Sequence, residues 1–464
     1  TASVVSLLPF PVVRGATPSS TGFLLDGTRV PMLFHLLAGP SVIHPELIEG
    51  VDFYPGGAPV LFGGYTGGIV NGHTHRVRRG ERVIDVDLNL TQLGGFVRWP
   101  LPAAGLSLSV AGRYGYPGLV LSLATDELSL SYWDYQLRLD GGHRASGFTV
   151  FAYGARDVLS TRPDAGGDLE PSLTLHFHRV ELRAHHRSER LDGRYRLVLG
   201  YDQSLGAEAN IESWLVKPMA RWTLGVLPGL DLRALVEAPV HVYEPGPPPG
   251  GDEIGDIDIG ALVEDLDQLY VAAVALEALW RPSPRWFIRP GVRVDVLHDT
   301  ADTVVGVDPR LTARFRLLQR RIDGLPDDSD DGAVWLKAAL GLYHQPPRFI
   351  APLPGLDTLA LQYGLLRAVQ SSLGVEVPLA MNLSLSLEGY YSHLDPTLFD
   401  LAAVGGDDDD FVERLIEPGK GRAYGVELLL RRQSRDGLYG WLSYTLSRSE
   451  RRVVEADDAF WAAY

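Results

Sequence analysis

Carboxylates and histidines are the first candidates for chemistry in this chain of 464 residues. Consecutive acids stand in DDSDD (327–331) and DDDD (407–410). Their oxygens are the hard ligands that Ca²⁺ takes, but neither run has the ligand spacing of an EF-hand loop. Solvated acidic loops are the preferred reading, with Ca²⁺ as the alternative. His176 and His178 stand two apart, as do His73 and His75, and on a strand each pair shares a face. That suits two metal ligands, yet no third accompanies either pair. The adjacent His185 and His186 point to opposite faces. GGYTGG (63–68) lacks the Lys-Ser/Thr of a phosphate loop, and GKGRAYG (419–425) leads into a strand instead of opening a helix. HExxH and GxSxG do not occur. The absence of cysteine excludes disulfides, thiolate catalysis and Cys-based metal sites. No catalytic residue, resident metal or cofactor is therefore expected, and the chain does not read as an enzyme.

The elements that would carry such residues are strands. With 51 Gly and 32 Pro, the chain has many tight turns and few long helices. LYVAAVALEALW (269–280) is shorter than the about 18 residues of a membrane helix and carries Glu277. A net charge of −16 offers no Lys/Arg stripe to a nucleic acid, so no such partner is expected.

From about residue 80 the period is 2. Leu106, Leu108 and Val110 alternate with Ser107, Ser109 and Ala111. Leu383, Leu385 and Leu387 alternate with Ser384, Ser386 and Glu388. Tyr424, Val426, Leu428 and Leu430 share a face, with Glu427 and Arg431 on the other. Roughly seventeen such segments occur, each near the length that crosses a bilayer at a tilt. Tight connections (139–142, 190–193, 435–437) contrast with long acidic ones (244–260, 323–332, 402–421). Short turns at one end and long loops at the other are the pattern of an outer-membrane barrel. Tyr132-Trp133, Trp280, Trp286, Tyr390-Tyr391 and Trp441 stand toward strand ends, as interfacial girdles would. Soluble sandwiches, propellers and solenoids are the alternative, but no repeat of fixed period and no linker interrupts 80–464.

The first eighty or so residues differ: short strands, many glycines, and a Pro-started amphipathic piece, HPELIEG. Their motifs run in order. Arg14-Gly15 ends a strand, and Asp26-Gly27 leads to Pro31. Pro45-Glu46-Leu47-Ile48-Glu49 runs on to Gly56, and Phe62-Gly63 with Gly67-Gly68-Ile69 forms a Gly-rich turn. This succession resembles the plug domain of TonB-dependent outer-membrane receptors. The late hairpin AYGVELLL…WLSYTLSRS resembles the same family's last barrel strands.

The resemblance implies an all-β transmembrane barrel, about 22 antiparallel strands when complete, with a small α+β plug inside its lumen. The plug would be 1–79 and the barrel 80–464, incomplete at both ends. The parts expected beyond it are a signal peptide, a TonB-contacting segment, the first part of the plug and the last strands. A monomer in the bacterial outer membrane is implied, against outer-membrane lipid and lipopolysaccharide. The implied function is import of a scarce small-molecule ligand, driven by the TonB–ExbB–ExbD complex. A ferric siderophore is the commonest cargo; cobalamin, haem, glycans and peptides use the same architecture. The alternative is a surface receptor or docking barrel that imports nothing. In relatives the Arg-Gly arginine can pair with barrel-wall glutamates, which makes Arg14 and Glu427 a candidate latch; the alternative is a solvated lumen glutamate. The usual second wall glutamate is replaced by Ser372 in QSSLG, which implies a weaker latch. The glycines Gly56, Gly63, Gly67 and Gly68 serve tight turns and, by the same freedom, partial unfolding of the plug.

Overall fold

The computed structural model describes residues 13–35, 39–75, 81–102, 105–143, 145–162, 167–206, 210–246, 267–319, 332–348, 353–355, 358, 361–398, 418–432, 437–453 and 462–463. The acidic runs 327–331 and 407–410 lie outside them.

The N-terminal unit is a four-stranded sheet. β1 (Gly22–Leu25) and β2 (Thr28–Arg29) form a hairpin, and β3 (Ile48–Tyr54) and β4 (Ile69–Thr74) complete the order β2-β1-β4-β3. β1 and β4 run parallel. The β1–β2 turn places Asp26 at φ 51° and Gly27 at φ 89°. Two successive left-handed residues match the twist of a tight hairpin, and Asp-Gly is the pair that tolerates them. The expected helix at Pro45 is a single 3-10 turn, Pro45–Leu47, whose first turn His44 caps through the Glu46 amide. It passes directly into β3.

The rest is an antiparallel meander. β5 (Val83–Leu88), β6 (Gln92–Leu101), β7 (Leu106–Gly115), β8 (Leu128–Gly142) and β9 (Ser146–Thr161) lead to β10 (Glu170–Arg187). β11 (Leu191–Gly206) and β12 (Asn210–Leu227) continue it. β13 (Leu230–Glu237) and β14 (Val240–Gly246) both pair with β12 and with β15 (Gln268–Ser283), so they are one strand interrupted near Pro239. Proline has no N–H to give the ladder there. β16 (Trp286–His298), β17 (Thr303–Gln319), β18 (Ala333–Gln345) and β19 (Leu366–Pro378) follow. β20 (Leu383–Leu398), β21 (Pro418–Arg432), β22 (Gly440–Val453) and the two-residue β23 (Ala462–Ala463) bring the sheet round to β5 as a closed barrel. Among the described residues this makes seventeen long tracks plus β23, in line with the count expected from alternation.

The barrel is inside-out relative to a soluble protein. Leu137, Leu199, Val216, Leu276, Leu340, Leu373 and Val426 lie exposed on its outer face. Their neighbours on the inner face, among them Arg138, Arg179, Glu181, Asp202, Glu277 and Arg293, are buried. An apolar band round the whole circumference far exceeds what a water-exposed surface carries, and lipid is the solvent it matches. LYVAAVALEALW is most of β15, with Glu277 turned inward to Arg233 at 3.2 Å.

Three expectations need correction. Tyr132 and Tyr390 are not girdle residues: both are buried on the inner face, where strand alternation puts them opposite Trp133 and Tyr391. Trp280, Trp286, Tyr391 and Trp441 do lie exposed outside. β14 and β15, like β20 and β21, succeed one another at one rim, whereas β17 and β18 succeed one another at the rim of the short turns, so the three long connections do not share one end; most of their residues lie outside the described ones. A strictly antiparallel meander alternates rims, and loop length alone does not reveal which rim a loop occupies.

Candidate functional site

The N-terminal unit lies in the lumen and fills it as a plug. Its Leu25, Val30, Met32, Val42, Ile43 and Leu47 pack with the wall's Phe96, Phe151, Tyr153 and Phe177. Leu24, Ala58, Tyr65 and Ile69 pack with Tyr343, Ala368 and Leu394. At ~1.5–3 kcal/mol for each fully buried aliphatic side chain, exposing this interface would cost on the order of 10 kcal/mol. The interface is thus a core, crossed by a few polar anchors.

The first anchor is Arg14. Its Nε donates to Glu427 Oε1 at 3.0 Å and its Nη2 to Glu427 Oε2 at 2.7 Å. Nη2 also reaches Glu388 Oε1 at 2.6 Å. Glu388 on β20 and Glu427 on β21 are directly paired across the ladder, so the guanidinium neutralises two carboxylates that would otherwise repel. The structure brings Arg14 and Glu427 together, and it adds a second carboxylate that the sequence reading did not name, Glu388, on the strand next to the one bearing Ser372. The guanidinium also lies 4.3 Å over the Tyr390 ring. Burial works against the Arg14 charge, but hydrogen bonds to Glu427 and Glu388 outweigh it and raise its pKa above the ordinary arginine value.

Two glycines make room for this anchor. A Cβ on Gly56 would lie 2.9 Å from Arg14 Nη1. One on Gly15, at φ 72°, would lie 2.5 Å from Ser449 Oγ. The Gly15 carbonyl accepts from Arg451 at 3.2 Å. A narrow cleft beside the latch is lined by Arg14, Gly56, Thr66, Gln370 and Tyr390.

The second anchor is the β1–β2 turn. Asp26 accepts from the Thr74 amide at 3.0 Å, the Thr74 hydroxyl at 2.6 Å and Arg183 Nη1 at 2.6 Å. Burial alone would push its carboxyl up; Arg183 and Thr74 outweigh that and hold it below the usual carboxylate range. The Gly27 amide donates to Asn71 at 2.8 Å, and Arg196 of the wall donates to Thr28 Oγ1 at 2.7 Å. These contacts lock a plug turn to β10 and β11.

The third anchor, His35, has no motif in the sequence. Its ring is fully buried, with Nδ1 2.5 Å from Asp157 Oδ1 and Nε2 3.0 Å from Asp134 Oδ2. Ionised carboxylates only accept, so both ring nitrogens must carry protons and the group is an imidazolium. Burial disfavours that charge; the bonds to Asp134 and Asp157 outweigh it and raise the pKa above the usual imidazole value. The ring stacks on Tyr132 at 4.2 Å, and Arg113 shares Asp134 at 2.7 Å.

Elsewhere the wall grips plug carbonyls. Arg310 donates to Pro59 at 2.8 Å and Phe62 at 2.7 Å; Arg98 donates to Glu46 at 2.8 Å; Gln370 donates to Thr66 at 2.6 Å. A Cβ on Gly63 would stand 2.0 Å from Arg293 Nε, which Asp295 and Glu237 pin in place. Gly67 and Gly68 let the last turn pass against the Ser20 carbonyl and Val13. Pro45 and Glu46 serve the turn before β3, not the latch.

At the long-connection rim, the β18–β19 connection folds into the lumen. Arg348 lies 4.3 Å over Tyr65 and donates to the Ser19 carbonyl at 3.3 Å. The Pro354 carbonyl accepts from Ser204 at 2.6 Å, and Asp299 accepts from the Leu361 amide at 2.7 Å. His176 and His178 have ring centroids 5.6 Å apart on the outer face, beside Tyr201. His73 bonds Asp52 at 2.8 Å. No group of three or more potential metal ligands forms among the described residues.

No family model matches the chain, and no curated protein matches its sequence. Solved structures do match. The siderophore receptor PirA from Pseudomonas aeruginosa aligns with a TM-score of 0.63 at 13% identity, covering 96% of this chain and 82% of that one. The FrpB iron transporter from Neisseria meningitidis aligns with 0.67 at 11% identity, covering 99% and 79%. The copper transporter OprC aligns with 0.63 at 12% identity, covering 95% and 75%. A polar-lumen barrel, a four-stranded plug inside it and these alignments lead to one conclusion: the fold of this chain is that of the TonB-dependent outer-membrane receptors.

Proposed function

We propose that this protein imports a scarce ligand across the bacterial outer membrane, with the TonB–ExbB–ExbD complex supplying the pull. The observation that carries the reading is the order of the anchors. Arg14 is the first anchor of the described chain, and it is held by two carboxylates on two adjacent wall strands. Tension applied from the N-terminal side of Arg14 loads that bond before it reaches Asp26, His35 or the packed core. The plug is thus built to be opened from one end, with its remaining contacts left to hold it in the lumen. The structural neighbours named as siderophore, iron and copper proteins support a chelated-metal cargo, with a ferric siderophore the foremost candidate.

The test is accumulation of labelled ferric siderophores, cobalamin, haem and oligosaccharides in cells carrying the full-length protein, with and without a protonophore. Import predicts one ligand whose uptake the protonophore abolishes while surface binding persists. Surface binding without gradient-dependent uptake, despite a working TonB system, would instead establish a receptor that does not import.

A further inference from the structure

The inner wall toward the rim of the short turns carries a row of guanidinium groups that outnumber the carboxylates facing them. Strand alternation turns Arg194 and Arg196 of β11, Arg221 of β12, Arg233 of β13, Arg289 of β16 and Arg314 of β17 into the lumen. The carboxylates on the same level of these strands and of β15 are Asp192, Asp231 and Glu277. Asp192 is shared by Arg187 and Arg194, and Glu277 takes Arg233 at 3.2 Å. Arg196 is held by Thr28 of the plug and by Glu181 at 3.5 Å. Among the described residues no carboxylate pairs with Arg221, Arg289 or Arg314. Arg289 donates to the Thr312 hydroxyl at 3.1 Å, and Arg314 lies 4.6 Å over the Trp335 ring. Arg221 is moreover the direct neighbour of Arg194 across the ladder, an arrangement that costs a sheet stability. This row sits on a chain whose net charge is −16.

Position decides what the row can meet. Met219, Leu235, Ala275 and Gly291 each stand two residues from Arg221, Arg233, Glu277 and Arg289 toward the long-connection rim, and there Val60 and Leu61 of the plug pack on them. That contact is an apolar seal on one side of the row. Across from the row is the edge strand of the plug sheet, β3. Its Val51 and Phe53 are more than half exposed, as is the side chain of Asp52, which His73 engages. Arg233 and Arg289 are near enough to act on the Tyr54 hydroxyl at the end of β3, and Arg194 and Arg314 are themselves exposed. The guanidinium groups therefore line open space on the inner side of the seal, facing the rim of the short turns. We propose that this space is a binding site for an anionic, oxygen-rich chelate at the inner mouth of the barrel, the last station of a ligand that has passed the plug. Guanidinium forks hold carboxylates and comparable oxyanions through paired N–H donors. Passage in that direction rests on the import reading; binding of the anion does not.

Thr223 stands on the inner face of β12 directly opposite Arg233, and the chain has no cysteine. The test places Thr223→Cys in the full-length protein, free of other cysteines and reconstituted in nanodiscs. Its thiol is modified with an anionic sulfonate thiosulfonate reagent or with the cationic trimethylammonium counterpart. Each rate is measured alone and with ferric citrate, a neutral ferric trihydroxamate or pyrophosphate. The anionic reagent should react at least about tenfold faster than the cationic one. Ferric citrate should slow it, the neutral chelate should not, and Arg221→Gln with Arg289→Gln should abolish both effects. Equal rates, no reaction with either reagent, or protection by pyrophosphate but not by ferric citrate would overturn the site. The charge preference and the protection need no change beyond residue 223, so they decide the matter even where the double variant fails the heat-modifiable migration that checks folding. Purified protein suffices, so the two readings fail separately. Charge-selective protection in a protein that imports nothing would sink import alone, and energised uptake of a neutral chelate with no charge preference at residue 223 would sink the anion site alone.

Discussion

At the scale of single residues, the plug is held by charges that need their partners. Removing the Arg14 side chain leaves Glu388 and Glu427 facing each other across the ladder. Arg14→Ala should lower plug stability by about 2–3 kcal/mol, the worth of charge-assisted bonds to partly buried carboxylates. The force needed to extract the plug by single-molecule pulling should fall with it; an unchanged force would mean the latch carries no load. His35 makes a prediction with a sign. Its folded pKa is raised, so its contribution is complete below the free imidazole value of about 6.5 and is lost as pH rises through the raised value. Asp134 and Asp157 face the ring directly, and Arg113 faces it through its bond to Asp134. Protease protection of the plug should decline in wild type as pH rises above about 6.5 and become flat in His35→Gln. A decline of equal slope in the variant would assign it to another group. Arg14 and Glu427 were legible because motifs flank both. His35, Asp134, Asp157 and Glu388 were not, because an inward polar residue on a barrel strand looks like every other lumen residue, and its partner can lie 374 positions away.

At the scale of elements, period-2 alternation was sufficient to find the strands, because every strand has lipid on one side and a polar lumen on the other. It also separated Glu427 from Val426 correctly. Alternation could not say which rim a loop joins, nor that Pro239 breaks one strand into two. It also could not separate inward from outward aromatics in the adjacent pairs 132–133 and 390–391. The Gly-rich loop of the plug is where element geometry is tightest. Gly63→Val should drive its side chain into Arg293 and detach that guanidinium from Glu237 and Asp295. The expected loss is about 1–3 kcal/mol, seen as faster proteolysis of the plug with the barrel's heat-modifiable migration unchanged. Unchanged proteolysis would show that the loop has room the structure does not record.

At the scale of the whole molecule, a closed barrel holds a packed plug in its lumen, and under the proposed import function nothing passes until the plug moves. The anchors are ordered along the chain, from Arg14 to Asp26 to His35 to the 58–66 loop, and the apolar contacts of the plug are interleaved with those that follow Arg14. Under the proposed import function, opening from the N-terminal side is progressive, and a tether placed late in the plug should stop it. The chain has no cysteine of its own, which makes that tether clean to build. Thr66→Cys paired with Gln345→Cys joins plug to wall where the two side chains now hydrogen-bond at 2.9 Å. The measurement is ligand uptake by cells carrying the full-length pair, treated with a short reducible thiol cross-linker. Uptake should stop while surface binding continues, and a reductant should restore it. Undiminished uptake through a fully cross-linked plug would contradict the claim that this plug gates the barrel.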